Sequence, residues 1–154
     1  MNNFSQLDWN ADLINRYNLS GPRYTSYPTA PQFNADFTNA DYIEALTASN
    51  ATSKPLSLYF HIPFCEKICF FCGCNKIATK NTDRCLPYLD QLFKEMDLAG
   101  QYLDTSRPVE QLHWGGGTPT FLSHEQMRLL MQATKERFNL RTDDKGDYSI
   151  EIDP

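Results

Sequence analysis

The stretch of sequence that decides the fold is LSLYFHIPFCEKICFFCGCNK, residues 56–76. It opens with LSLYFHI at 56–62, a continuous apolar run of the kind found in a strand covered on both faces, as in a parallel sheet. Pro63 ends this strand, because proline has no backbone N–H to offer a neighbouring strand. Three cysteines follow at once. Ligands bind at the carboxyl ends of parallel strands, so we expect a functional site here.

Helices and strands alternate after this loop. The apolar spacing predicts a helix over about 83–103 and a second helix that Ser123 caps. The segments VEQLHW at 109–114 and YSIEID at 148–153 are predicted strands. Crossovers of this length connect parallel strands in a right-handed sense. The fold class is therefore α/β, the first β/α units of a parallel (β/α) barrel, and we expect the barrel to be incomplete because a three-stranded parallel sheet leaves its edges unpaired.

The first third of the chain has a different character. Residues 1–54 are polar, rich in Asn, Thr and Ser and interrupted by prolines, which predicts an arm with short helices. One helix is predicted over 8–17, and a second begins at Thr38, with Asp41 completing a capping box. The predicted organisation is an N-terminal arm at 1–54 followed by the start of a barrel at 55–154.

Composition narrows the classes of function. The chain has 154 residues, a net charge of -5 and a pI near 5.1, so it lacks the basic surface that binds nucleic acid or an anionic membrane. No run approaches the roughly 20 apolar residues that span a bilayer. We therefore expect a soluble cytoplasmic protein that binds neither nucleic acid nor membrane.

The cysteines predict a metal centre. Four of the five lie together as Cys65, Cys69, Cys72 and Cys74, where disulfides would close only very short loops. Clustered thiols in a cytosolic protein indicate metal ligands or redox groups. Thiolates are the usual ligands of a [4Fe-4S] cluster, and three of them at Cys65, Cys69 and Cys72 leave one iron open.

A structural zinc site is the alternative, since zinc also takes four thiolates. Cys72 and Cys74 are separated by Gly73 alone, which is unusual for such a site, and this leaves the role of Cys74 open. Cys85 is expected to be a buried apolar residue. The loop's apolar side chains either shield a cluster from water or simply pack in the core, and they are Phe64, Ile68, Phe70 and Phe71.

The histidines allow two interpretations. His61 could tune or contact a cluster, but a histidine at the end of a strand is as often merely hydrogen-bonded. His113 and Trp114 have the same ambiguity, and His124 is expected to lie exposed in the first turn of a helix.

The spacing of Cys65, Cys69 and Cys72 resembles the CxxxCxxC signature of the radical S-adenosylmethionine enzymes. Two further segments, QLHWGGGTPT at 111–120 and GPRYTSYPTA at 21–30, make the chain similar to the oxygen-independent coproporphyrinogen III oxidases. The resemblance runs along essentially the whole chain but covers about the N-terminal third of a family member. A heme carrier of the same superfamily is an alternative, although such relatives typically lack the long arm and the cysteine matching Cys74.

The resemblance implies a partial or full parallel (β/α) barrel, a [4Fe-4S] cluster and one or two molecules of S-adenosylmethionine. It further implies that a 5'-deoxyadenosyl radical removes hydrogen from propionates of coproporphyrinogen III, giving protoporphyrinogen IX in heme biosynthesis. A reductant protein would donate electrons, and the full-length enzyme is expected to be a monomer. These 154 residues alone are expected to be inactive.

The resemblance also assigns residues, though none to a catalytic role. Cys65, Cys69 and Cys72 match the cluster ligands. Residues near the first S-adenosylmethionine are matched by Tyr59, Gly116 and Glu151, and residues near a second by Phe71, Gly117 and Thr118.

In the arm, Arg23, Tyr24 and Tyr27 would fold over the barrel mouth, with the guanidinium near a substrate propionate. Alternatively the arm packs only for stability.

Overall fold

The structure, a computed structural model, describes residues 9–18 and 29–153. The chain divides into two compact units, 1–37 and 38–154. Within the first, helix α1 spans Ala11–Tyr17, and Asn10 caps it by accepting a hydrogen bond from the Leu13 N–H at 2.9 Å. A short 3-10 turn, Ala30–Gln32, follows. No helix within the described ranges has both the length and the apolar character needed to span a bilayer.

The second unit holds the sheet. Its helices are α2 (Asn39–Ser49), α3 (Cys85–Gly100) and α4 (His124–Arg137). Its strands are β1 (Leu56–Ile62), β2 (Phe64–Cys65), β3 (Ile77–Ala78), β4 (Pro108–Gly116), β5 (Asn139–Leu140) and β6 (Asp147–Ile150). Single 3-10 turns occur at Asn50–Thr52, Thr82–Arg84 and Pro119–Phe121.

The main sheet is parallel, as predicted. Strand β1 pairs with β4 along its whole length, and both β5 and β6 pair with the other side of β4. The sheet is open within the described residues, which confirms the prediction of α/β units that do not close a barrel. The predicted third strand at 148–153 is different in detail. It begins one residue earlier and ends at Ile150, and the two-residue strand β5 precedes it across a turn.

The core lies on one face of the sheet. Along β1, Leu56, Phe60 and Ile62 are buried, whereas Tyr59 is exposed between them. Helices α3 and α4 supply the cover through a shared apolar cluster with β1 and β4. The prediction that both faces of β1 are covered is therefore wrong for the part of the chain that the structure describes. Its other face carries residues of the candidate site.

Helix starts follow the predicted capping chemistry. Thr38 and Asp41 form a complete capping box, with the Thr38 N–H donating to Asp41 Oδ2 at 2.7 Å. Ser123 and Gln126 form the second box. Pro87 lies in the first turn of α3, where its missing N–H costs nothing.

A buried arginine fastens the amino-terminal edge of the sheet. Arg107 is only 8% exposed and immediately precedes β4. Its Nε donates to the Lys54 carbonyl at 2.7 Å, and its Nη1 donates to the carbonyl and hydroxyl of Ser49 at 3.2 and 3.1 Å. These bonds satisfy carbonyls at the end of α2 and before β1. The side chain therefore ties the end of α2, the start of β1 and the start of β4 together.

The carboxyl end of β4 crosses the chain very closely. The N–H of Gly117 donates to the Ile62 carbonyl at 2.8 Å. A Cβ placed on Gly117 would lie 2.7 Å from the carbonyl carbon and oxygen of Pro63 and 2.8 Å from the Phe64 carbonyl oxygen. These are backbone atoms that cannot rotate away, so only glycine fits here.

The hydrogen bonds of Arg107 give a first prediction. Replacing Arg107 with Ala removes charge-assisted hydrogen bonds from a buried position and should lower the free energy of unfolding by about 1–3 kcal/mol. Arg141→Ala is the matched control, because Arg141 pairs with Asp143 two residues away at the surface, and should change it by less than about 0.5 kcal/mol. Urea titrations of the three proteins make the comparison. Equal stability of both variants would contradict a stabilising role for the Arg107 hydrogen bonds.

The close crossing gives a second prediction. Gly117→Ala should push β4 away from the Pro63–Phe64 backbone and lower the free energy of unfolding by roughly 1–3 kcal/mol. The control is Gly100→Ala, near the end of α3, where the new Cβ would meet Thr105 Cγ2 at an ordinary 3.7 Å. That change should be neutral or stabilising. Thermal unfolding that ranks the two variants the other way would refute the steric account.

Candidate functional site

The cysteine loop, residues 65–76, leaves the sheet at the end of β1 and is held at its base. Strands β2 and β3 form a small parallel sheet of their own. In it the Ile77 N–H donates to the Pro63 carbonyl at 2.7 Å and the Thr79 N–H to the Cys65 carbonyl at 2.8 Å. The loop's entry and exit are thus fixed side by side, although strands this short carry no periodic signal in the sequence.

The four clustered thiols occupy different surroundings, and all are free. Cys65 is buried, and the Thr118 hydroxyl donates to its Sγ at 3.5 Å. Cys69 and Cys74 are exposed and Cys72 is half-buried. Over residues 9–18 and 29–153, no three His, Cys, Asp or Glu side chains lie in an arrangement that could hold a metal ion. The structure therefore does not gather Cys65, Cys69 and Cys72.

Cys72 and Cys74 affect each other's ionisation. A hydrogen bond from the Cys74 backbone is the largest influence on the Cys72 thiol and lowers its pKa, with a smaller contribution from the positive charge of Lys76. The negative charge of Cys72 in turn raises the pKa of Cys74. Cys72 is thus the thiol of this pair that ionises first.

The cysteine thiols are side chains of the type that binds an iron–sulphur cluster. Four free thiols lie within one loop, the three predicted ligands among them, and thiolates are the ligands such clusters take. Residues 66–76 form no helix or strand, while the base of the loop is held by β2 and β3. Gathering the thiols therefore requires a change only in the loop between its anchors.

The loop's aromatic side chains divide into two groups. Phe64 is buried against Tyr88 and Phe121 and belongs to the core. Phe70 and Phe71 are more than 90% exposed and pack only edge to face on each other, with ring centroids 4.9 Å apart. Packing in the core, one of the two predicted roles, is thus found for Phe64, but neither exposed ring has it.

The glycine run lies opposite Glu151. The Glu151 Oε2 accepts a hydrogen bond from the Gly116 N–H at 3.1 Å, and its Oε1 lies 3.4 Å from His113 Nε2. Gly116 has φ +114, a conformation that glycine adopts without strain. Because β6 pairs with β4, the Glu151 carboxylate, which directly follows β6, lies at the end of β4.

Tyr59 connects this group to β1. Its ring stacks on His113 with centroids 5.7 Å apart, and its hydroxyl lies 2.9 Å from His61 Nδ1. Burial is the largest influence on the Tyr59 hydroxyl and raises its pKa, helped by the negative charges of Glu151 and Cys74. Tyr59 therefore stays protonated. Trp114, by contrast, is buried, and its indole N–H has no acceptor among the described residues.

A cleft of about 570 Å³ opens between the cysteine loop and the ends of β4 and β6, a size suited to a small-molecule cofactor. It is lined by Lys67, Ile68, Cys69, Gly117, Thr118, Glu151, Ile152 and Asp153. A hollow of similar volume, about 580 Å³, lies beside α4 and β5 and is remote from the thiols.

Four residues predicted from sequence thus share the cleft, namely Cys69, Gly117, Thr118 and Glu151. Gly116 and Tyr59 lie beside it through their contacts with Glu151 and His113. Phe71 is not part of its lining. Arg23, Tyr24 and Tyr27 lie outside the described residues.

Sequence reasoning missed Lys67 and Asp153 in the cleft. Lys67 lies between two of the cysteines, and Asp153 is two residues after Glu151, the spacing that returns an extended chain to the same side. These signals were present but are common in proteins, and neither singles out a binding residue.

Comparison with known proteins places this chain in a family. The chain is 55% identical to the oxygen-independent coproporphyrinogen III oxidase of Pseudomonas aeruginosa and 48% identical to that of Escherichia coli. The two matches cover 95% and 97% of this chain. It spans only 32% of the length of each. A relative of the same name from Mannheimia haemolytica is 48% identical and is covered over 99% of its length.

A solved structure supports the same relation. The coproporphyrinogen III oxidase of Escherichia coli, described as a radical SAM enzyme, matches 97% of this chain with a TM-score of 0.77 and 43% identity, over 32% of its own length. No protein-family model matches the chain. An identity near one half over almost the whole chain, in relatives of one name, shows that the chain belongs to the oxygen-independent coproporphyrinogen III oxidase family.

Proposed function

We propose that the full-length protein containing this sequence converts coproporphyrinogen III to protoporphyrinogen IX without oxygen, in heme biosynthesis. Each of two propionate side chains would lose a hydrogen atom, an electron and CO2 and become a vinyl group. The observation that carries this proposal is the cysteine loop anchored beside a cleft of about 570 Å³. Family membership supports it, because the relatives are named for this substrate.

Cys65, Cys69 and Cys72 would hold a [4Fe-4S] cluster, and the adjoining cleft would take S-adenosylmethionine, with Phe71, Gly117 and Thr118 near a second molecule. When bound, this pair supplies homolytic hydrogen abstraction, the step that side chains alone cannot perform. Cys65 is buried at the base of the loop and hydrogen-bonded by Thr118, so it would be the most firmly placed of the three ligands.

The chain's own residues would bind and orient the cofactor. Glu151 accepts hydrogen bonds at the mouth of the cleft, so it suits ribose hydroxyls or an ammonium group. Gly117 would offer its backbone to the ligand from the lining of the cleft, and the Gly116 N–H, which is bonded to Glu151, would help to place that carboxylate. The exposed ring of Tyr59 offers a flat apolar face beside the same carboxylate.

The partners and location remain part of the proposal. A reductant protein would supply the electron that reduces the cluster. The enzyme would act as a monomer in the cytoplasm. In the arm, Arg23 would hold a substrate propionate. The substrate contacts not supplied by this chain would come from the rest of the full-length enzyme, since the relatives from Pseudomonas aeruginosa and Escherichia coli are about three times as long.

Iron binding tests the ligand set. After anaerobic reconstitution, the full-length protein should hold about four irons per chain, and replacing Cys65, Cys69 or Cys72 with Ala should remove most of that iron. Cys74→Ala and Cys85→Ala are the controls and should keep it. Iron content and visible absorption make the measurement. Bound zinc with no iron in the unaltered protein would overturn the proposal.

Turnover tests the reaction. The full-length protein with reductant and S-adenosylmethionine should form protoporphyrinogen IX and 5'-deoxyadenosine, and the 154-residue chain should form neither. Glu151→Gln should reduce kcat/KM by about ten- to a hundredfold, because a neutral amide accepts from hydroxyl or ammonium donors less strongly than a carboxylate. Heme binding without decarboxylation would favour a carrier instead.

A further inference from the structure

We infer that His61 is a positioning residue that holds the exit of the cysteine loop against the sheet. The inference rests on the proposed function only in taking this loop as the cluster loop. The sequence left two interpretations of His61 open, a contact with the cluster and a purely structural hydrogen bond, and the contacts of its ring decide between them.

The hydrogen bonds determine how the ring is protonated. His61 Nε2 lies 2.6 Å from the Asn75 carbonyl oxygen. A carbonyl can only accept, so Nε2 must carry the hydrogen. In the neutral ring Nδ1 is then an acceptor, and the Tyr59 hydroxyl at 2.9 Å is its donor. Both ring nitrogens are thus committed to protein partners, and neither is available as a metal ligand.

The rest of His61 is also fixed. Its backbone carbonyl accepts a hydrogen bond from the Tyr88 hydroxyl on α3. Its own position in β1 pairs with Gly115 of β4. A Cβ on Gly116 would lie 2.7 Å from the ring, so the imidazole fills the space that this glycine leaves. A residue whose backbone is fixed in the sheet and whose ring is packed against a neighbouring strand can transmit the rigidity of the sheet to whatever the ring binds.

What it binds is the last part of the loop. Asn75 follows Cys74 and lies two residues before β3, on the loop side of the small β2–β3 sheet. The hydrogen bond from His61 therefore adds an anchor beyond the two backbone bonds at Ile77 and Thr79. It shortens the segment that is free to move.

A second consequence concerns Tyr59. Because its hydroxyl hydrogen is directed to His61, the oxygen has only lone pairs left for a ligand. Tyr59 would then accept from a ribose hydroxyl or an ammonium group and would not donate to a carboxylate. The same histidine thus sets the loop's exit and the polarity of one side chain beside the cleft.

Three variants of the full-length, iron-free protein separate these contacts. His61→Gln can place an amide N–H where Nε2 lies and reach Asn75. His61→Asn can accept from Tyr59 but is too short to reach Asn75, and His61→Leu makes neither bond. Hydrogen exchange of the Ile77 and Thr79 amides reports on the loop's base, while the amide of Phe138, bonded to the Thr134 carbonyl at the end of α4, is the internal control.

Exchange at Ile77 and Thr79 should become about two- to tenfold faster in His61→Leu and His61→Asn, the effect of losing one hydrogen bond. His61→Gln should restore the slow rate, and exchange at Phe138 should stay unchanged in all three. Slow exchange in His61→Leu, or fast exchange in His61→Gln, would overturn the inference.

The unaltered protein offers a test that needs no variant. Nitrogen chemical shifts of isotopically labelled histidine should show the hydrogen of His61 on Nε2, and a hydrogen on Nδ1 would refute the assignment. Both measurements are made without iron, so they stand even if reconstitution shows that no cluster binds. Conversely, a bound cluster with an unanchored loop exit would leave the proposed function intact and reject only the role of His61.

Discussion

The parallel pairing of β1 with β4 is the constraint on which the rest of the structure depends. Its register sets Ile62 beside Gly116, so the two strands end at the same level. Gly117 and Thr118 then donate to the carbonyls of Ile62 and Phe64, which carries the chain leaving β4 directly across the start of the cysteine loop. Any shift of register would break this crossing. The loop and the glycine run share one edge for this reason, and the pairing of β6 with β4 brings the Glu151 carboxylate to the same edge.

The amino-terminal and carboxyl edges of the sheet have different roles. At the amino-terminal edge, buried Arg107 binds carbonyls of Ser49 and Lys54 and joins α2 to the start of β4. At the carboxyl edge, donors and acceptors such as Glu151 and Cys69 face an open cleft. Parallel sheets commonly divide stability and chemistry in this way. The carboxyl edge also contributes to stability at one point, the close crossing at Gly117.

Sequence predicted most of the fold because long periodic segments and caps are local signals. The strand at 56–62 and both capping boxes are present as predicted. The strands β2, β3 and β5 were missed, since two residues carry no periodicity and pair only because tertiary structure brings them together. Glu151 and Gly117 line the cleft, and their contact with S-adenosylmethionine stays a prediction. Arg107 and Asn75 were not anticipated, because their roles depend on hydrogen bonds to residues distant in sequence.

The separation of the three thiols has an energetic meaning. Fixing a residue's backbone costs roughly 1–2 kcal/mol, so gathering a loop of this length around a cluster would consume part of the binding free energy. Each anchor outside the thiols lowers that cost in advance. The β2–β3 ladder fixes the base, and the bond from His61 to Asn75 fixes the exit. Between these anchors only the segment 66–74 is left to order, and this is the segment that carries Cys69 and Cys72. The fold therefore organises the site from its base and leaves the last step of ordering to the ligand.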